Sequence, residues 1–225
     1  MFVRLKKMVK YIFASLLMLG SFLSAEAQQT KETDFGVWLD FAALKKFHNV
    51  SFGVVGEFYT RANSTSIDRI SIGFKGEYGF LPWLNGGAGI TWMNFKLPGN
   101  MERRQRFYFQ VEPYWNYSGF TFSFRERLQC TLYPESNKNY PSVYYWRNRF
   151  EVAYRKQTSR FKPLASVESL YHLQKVSTKH FDEFRMILGT YYHFSINQKV
   201  KCYGMMTSTT SLNRFLLGVS YEVMF

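Results

Sequence analysis

The side chains able to do chemistry in this chain recur at alternate positions. Arg125 and Arg127 are two apart, as are Arg147, Arg149 and Glu151, and so are Lys75 and Glu77. A spacing of two puts side chains on one face of an extended strand. Read this way, one face carries Glu57, Arg61, Arg69, Lys75, Glu77, Arg106, Glu112, Arg125, Arg127, Arg147, Arg149, Glu151, Glu168 and Arg185. Guanidinium forks and carboxylates sharing a face have two uses. They pair with each other and fill an enclosed polar space. Where the basic groups outnumber the acidic ones, as here, they also form a path that attracts anions, lined by Arg125, Arg127, Arg147 and Arg149. Tyr59, Tyr108, Tyr114 and Tyr203 fall on the same face and would narrow any such path.

Other chemistries find less support. Acyl transfer needs a Ser and a His held together by an orienting group. His48, His172, His180 and His193 are the four histidines. The one set they allow joins His172 or His180 to Ser169 or Ser177, and no motif accompanies it, so no catalytic residue is assigned. No His/Cys/Asp cluster has metal-ligand spacing, and neither a metal nor a cofactor is expected. Gly86-Gly87-Ala88-Gly89 lies inside an alternating segment, where it eases packing or curvature and does not cradle phosphate.

Ten segments carry the alternation: 48–61, 67–79, 84–97, 105–116, 119–132, 143–156, 161–173, 181–194, 198–208 and 214–225. A tilted membrane strand takes about 9–11 residues. The connections alternate too, with short turns near 80–83, Tyr117-Ser118, Thr158 and Ile196-Asn197. Longer or more polar links fall at 62–66, 98–104, 133–142, 174–180 and 209–213. Short periplasmic turns and longer outer loops are the habit of outer-membrane barrels. The face opposite the charges is apolar and sorted by height. Phe58, Phe107, Tyr144, Trp146, Tyr171, Phe184 and Phe215 fall at one rim. Tyr78, Trp115, Phe120, Tyr154, Phe161, Phe194 and Phe225 fall at the other. Val54, Ile72, Phe74, Ile90, Val111, Val152, Val167 and Val219 lie between. Aromatic girdles around an aliphatic band describe a lipid-facing wall. A soluble β-sandwich or lipocalin-like barrel is the competing fold, and it would have no need to sort its aromatics.

The two ends agree. Phe215, Leu217, Val219, Tyr221, Val223 and Phe225 alternate down to the last residue, resembling the closing strand that the barrel-assembly machinery of outer membranes recognises. Arg4, Lys6, Lys7 and Lys10, an apolar run from Tyr11 to Leu23, and Ala25-Glu26-Ala27 read as a secretory signal cleaved after Ala27. The apolar run is too short to span a membrane as a helix. Removing residues 1–27 leaves 198 residues of the 225 and takes the net charge from +13 to +10. That length suits one domain. The basic residues are spread along the strands, which argues against nucleic acid as a partner. Outer-membrane lipid and the assembly machinery are the expected partners, and no ligand is legible. Mean hydropathy is -0.25, which a barrel reaches because lumen-facing and lipid-facing residues cancel. Cys130 and Cys202 fall near opposite ends of this arrangement, so no disulfide is expected.

Two features fit badly. Residues 34–44 alternate well, with Trp38 and Asp40 opposite Phe35, Val37, Leu39, Phe41 and Ala43. The short link Lys45-Lys46-Phe47-His48 would start that strand on the wrong side for an even-stranded barrel. It is therefore set apart as an accessory strand. Glu126 points by parity at lipid unless a bulge re-aims it.

Several landmarks in order resemble a Gram-negative outer-membrane family known as domain of unknown function 2490. They are Trp38, Arg61, Arg125-x-Arg127-x-Gln129, Trp146-Arg147-Asn148-Arg149-Phe150, Glu168 and Phe181-x-x-Phe184-Arg185, followed by the closing strand. The resemblance implies a barrel and a location and carries no activity. The expectation is an all-β, up-and-down, antiparallel transmembrane barrel over 28–225, of about ten strands with twelve as the alternative. Three roles are open to it: a closed structural or surface-interaction barrel, a small anion-selective channel, and a lipid-modifying enzyme.

Overall fold

The computed structural model describes residues 32–97, 100–133, 142–155, 159–173 and 181–225. The leader and most of the links 133–142 and 174–180 lie outside the described residues. Eleven strands make up the fold: β1 (Glu32–Phe47), β2 (Val50–Arg61), β3 (Ser66–Leu81), β4 (Leu84–Leu97), β5 (Asn100–Tyr117), β6 (Phe120–Leu132), β7 (Val143–Tyr154), β8 (Phe161–His172), β9 (Phe181–Ser195), β10 (Gln198–Ser208) and β11 (Leu212–Met224). Each pairs antiparallel with the next, and β11 returns to β1 to close the barrel.

The closing seam is parallel. Phe225 N donates to Leu44 O at 2.9 Å, and Lys46 N donates to Phe225 O at 3.1 Å. Those two bonds straddle Lys45 in the slanted pattern of a parallel ladder. Side chains across the seam keep one offset in residue number. Arg214 holds Asp34, Tyr221 stacks on Phe41, and Phe225 lies under the Lys45 ammonium. A constant difference marks parallel strands, whereas antiparallel partners keep a constant sum.

This corrects the strand count. The wall has eleven strands, neither ten nor twelve, and 34–44 is the middle of a wall strand. Its direction rules out an even meander, and parallel closure removes the conflict. Odd-stranded single-chain barrels have a precedent in a 19-stranded mitochondrial channel. Of the stretch 98–104 expected as a loop, residues 100–104 belong to β5. β4 and β5 stay paired up to Leu97↔Asn100, and Arg104 stacks on Phe95 with 4.0 Å between guanidinium carbon and ring centre. Nor does a bulge re-aim Glu126. The β5–β6 register is unbroken on either side of it, so it faces outward and accepts a short hydrogen bond from the Trp146 indole.

The two rims differ. One carries the tight turns at His48-Asn49, Pro82-Trp83, Ser118-Gly119 and Ile196-Asn197. Ser118 and Gly119 both have positive φ, 48° and 83°, which is the two-residue hairpin geometry that matches strand twist. The other rim gathers 62–65 and 209–211. Register irregularities sit near strand ends, at Tyr59/Thr60, Gly79/Leu81, Leu170/Tyr171 and Gln198/Lys199.

The wall is inverted relative to a water-soluble domain. Large apolar side chains stand exposed around its outer face, among them Ile72, Phe74, Phe109, Leu128, Leu188 and Leu217. Leu188 keeps 68% of its surface and Phe109 70%. Inside, a small apolar cluster of Tyr59, Ala153, Leu164, Ile187, Met205 and Leu216 packs with Trp38, Tyr191 and Tyr203. Ala42, Leu44, Met93 and Leu170 are buried apart from that cluster, and charged and polar side chains line the cavity. Cys130 and Cys202 are free thiols.

Candidate functional site in the barrel lumen

Alternation along each strand delivers the charged face to the lumen. Twelve of the fourteen same-face residues line its cavity of about 560 Å³: Glu57, Arg69, Lys75, Glu77, Arg106, Glu112, Arg125, Arg127, Arg147, Arg149, Glu168 and Arg185. Glu151 is buried beside it, in reach of Lys201 Nζ at 3.7 Å and the Tyr191 hydroxyl at 3.5 Å. Arg61 stands apart at the end of β2. Its Nη2 donates to Lys96 O at 2.6 Å, and its Nη1 lies 3.5 Å from Asp68.

Glu168 is the hub. Its carboxylate is 3% exposed and receives three guanidiniums: Arg125 at 2.8 Å, Arg147 at 3.0 Å and Arg185 at 3.2 Å. Arg185 comes from the facing position on β9 and Arg147 from the diagonal position on β7. Arg125 reaches over β7 from β6. Arg147 also donates to Gln129 Oε1 at 3.1 Å. Arg185 forks onto Glu183 at 2.8 and 3.2 Å. Such parallel, charge-assisted bonds are the strong kind. The sequence landmarks Trp38, Arg125, Gln129, Arg147, Glu168 and Arg185, drawn from five strands, meet here.

The network bridges the lumen from wall to wall. Trp38 of β1 lies between two guanidiniums, Arg69 at 5.5 Å and Arg185 at 5.8 Å from its ring centre. Arg69 in turn lies 3.3 Å from Glu57. Glu57, Arg69, Trp38, Arg185, Glu168 and Arg125 thus form one transverse chain of ion pairs and cation–π contacts. Nearer the tight-turn rim, Lys75 and Lys199 share Glu222, at 3.8 and 2.9 Å. Arg149 reaches Glu112 at 3.4 Å.

Small residues make room for the large ones. Tyr203 faces Gly218 across β10–β11, and a Cβ on Gly218 would sit 2.0 Å from its ring. The ring therefore lies over the glycine and reaches Asp40 Oδ2 at 3.3 Å. Gly89 does the same for Tyr108, whose ring a Cβ there would meet at 2.5 Å. Arg127 stacks on that ring at 4.1 Å and donates to Gln110.

Several lumen groups escaped the sequence reading. Asp40 and Trp38 belong to the strand that was set apart. Arg104, Asp182, Glu183, Lys199, Lys201 and Glu222 also line the cavity. Parity along β5, β10 and β11 carried that signal for Arg104, Lys199, Lys201 and Glu222. With them included, eleven basic and eight acidic side chains line the cavity, so a positive excess remains. Of the acyl-transfer set, the two described members, His172 and Ser169, do not come together. The His172 ring packs on Tyr145, a cavity-lining residue, whereas Ser169 shares the outward parity of Val167 and Tyr171. Ser177 and His180 lie outside the described residues. Among the described residues no group of three or more His, Cys, Asp and Glu side chains could hold a metal ion.

A closed all-β barrel with an apolar outer wall and an ion-paired interior is the class that these features define. Residues 35–217 match the family described as protein of unknown function (DUF2490), and the chain belongs to it. No curated protein and no solved structure matches it.

The outer half of β11 is equally explicit. Phe215, Leu217, Val219 and Phe225 are exposed on the outer wall, and Tyr221 leans on Phe41 across the seam. Val223 is half-buried.

Proposed function

We propose that this chain is an integral outer-membrane β-barrel of a Gram-negative cell, exported through the 1–27 leader, with a lumen closed by its own charges. It serves as a structural or surface-interaction barrel, presenting the long-loop rim outward. One observation carries the reading: the wall is apolar outside and ion-paired inside. Exposed Phe, Leu, Ile and Trp around a whole circumference are unfavourable in water and favourable in hydrocarbon. Arginine and glutamate pairs crossing the lumen are at home only where lipid is excluded. Closure of the backbone ladder leaves no strand edge without partners, which a bilayer demands.

The test is fractionation of cells, followed by recording from the purified, refolded protein in planar bilayers. Outer-membrane recovery, a mature start at Gln28 and no conductance are expected. Recovery in the soluble fraction would sink the membrane reading. An anion-selective channel is the second reading, favoured by Arg106 and Arg127, which lack carboxylate partners among the described residues. Steady anion conductance would replace the closed reading with that one.

A further inference from the structure

The lumen network leaves one guanidinium out. Arg106 of β5 faces the cavity between Thr91 of β4 and Thr131 of β6. Its Nε is shut off from solvent and donates to nothing. Among the described residues it makes no ion pair and no hydrogen bond. The charges acting on it most strongly are Arg69, Glu57, Arg147 and Arg185, three of them of its own sign. Glu57 is already held by Arg69 at 3.3 Å. Arg69 and Arg147 each keep a shielded Nε–H without an acceptor as well.

The local charge does not balance. Apart from Arg127, ten of the cavity-lining side chains are basic and eight are acidic, Asp182 among them. Asp40 is satisfied by neutral donors, the Trp38 indole at 2.6 Å and the Tyr203 hydroxyl at 3.3 Å. Arg127 adds a further positive charge from β6, although Gln110 and the Tyr108 ring occupy it. An arginine cannot shed its proton to escape. Water in the cavity would accept its hydrogen bonds but would not neutralise the excess charge. A tetrahedral oxyanion does both, because its oxygens match the guanidinium fork.

We propose that the lumen beside Arg106 binds a small oxyanion of the phosphate or sulfate class, seated against Arg106 with Thr91 and Thr131 at its sides. The anion is a resident of a closed interior and completes its charge network. The site rests on the lumen geometry alone and holds whatever surrounds the outer wall.

The experiment titrates the refolded full barrel in detergent with sodium phosphate, sodium sulfate and sodium chloride at matched ionic strength. Thermal unfolding is followed by heat-modifiable gel mobility, and phosphate binding by calorimetry. Phosphate or sulfate is expected to raise the midpoint by several degrees beyond chloride. R106Q should weaken phosphate binding at least tenfold, and R103Q, on the exposed face of the same strand, should leave it unchanged. Native mass spectrometry of barrel taken from cells separates the two sources of this chemistry. A small mass increment identifies a free oxyanion, and an acyl-sized increment identifies a lipid phosphate. Equal midpoints in all three salts would overturn the proposal, and the wild-type protein alone supplies that arm if R106Q does not refold. Undiminished phosphate binding by a folded R106Q would overturn it equally.

Discussion

Glu168→Gln removes one negative charge and keeps the shape. The wild-type carboxylate receives Arg125, Arg147 and Arg185 at 2.8 to 3.2 Å and is 3% exposed. The guanidiniums are themselves only 10–14% exposed. Breaking a buried pair from one side costs about 3–5 kcal/mol. Two terms reduce this. The amide oxygen still accepts a hydrogen bond, and the adjoining cavity admits water, so the lower end, about 3 kcal/mol, is expected. Arg147→Gln added to Glu168→Gln should recover part of the loss, because the two share one network. The assay is urea unfolding of the barrel refolded into vesicles, followed by tryptophan fluorescence. As a reference, Lys199→Gln removes a partner that is 38% exposed and should cost about 0–1 kcal/mol. A Glu168→Gln cost as small as the Lys199→Gln cost would refute the reasoning. It would mean that the lumen is an open, water-screened path.

The remaining predictions concern the wall. Val219→Lys should cost about 2–4 kcal/mol in a bilayer because the side chain faces outward near mid-height, while Ser220→Lys, facing the cavity, should cost much less. Equal losses in vesicle unfolding would show the facing to be wrong. Phe41→Cys with Tyr221→Cys should form a disulfide on mild oxidation, since the two rings stack across the parallel seam at 6.0 Å. A non-reducing gel without that crosslink would count against parallel closure. Gly218→Ala should destabilise by about 1–3 kcal/mol through overpacking on Tyr203. Gly204→Ala, with nothing within 4 Å of the added carbon, should fall within about 0.5 kcal/mol of wild type.

Much of this protein was legible along the chain, for a local reason. In a strand the side-chain direction reverses at every residue, so composition and parity alone assign each position to the lumen or the outer wall. That argument placed Glu57, Arg125, Arg147 and Glu168 inside and Leu217 and Val219 outside. It also exposed the contradiction in 34–44. Alternation does not say which strand lies beside which, or in what direction an edge finds its partner. The ladder between β1 and β11 joins residues 180 apart in the chain, and its parallel sense follows from closing a ring of eleven. Nor does parity rank the charges on one face. Glu168 became the hub, and Arg106 the guanidinium left over, only when strand tilt and register set Arg125, Arg147 and Arg185 around one carboxylate. Electrostatic pairing depends on distances across the lumen, and closure alone determines those.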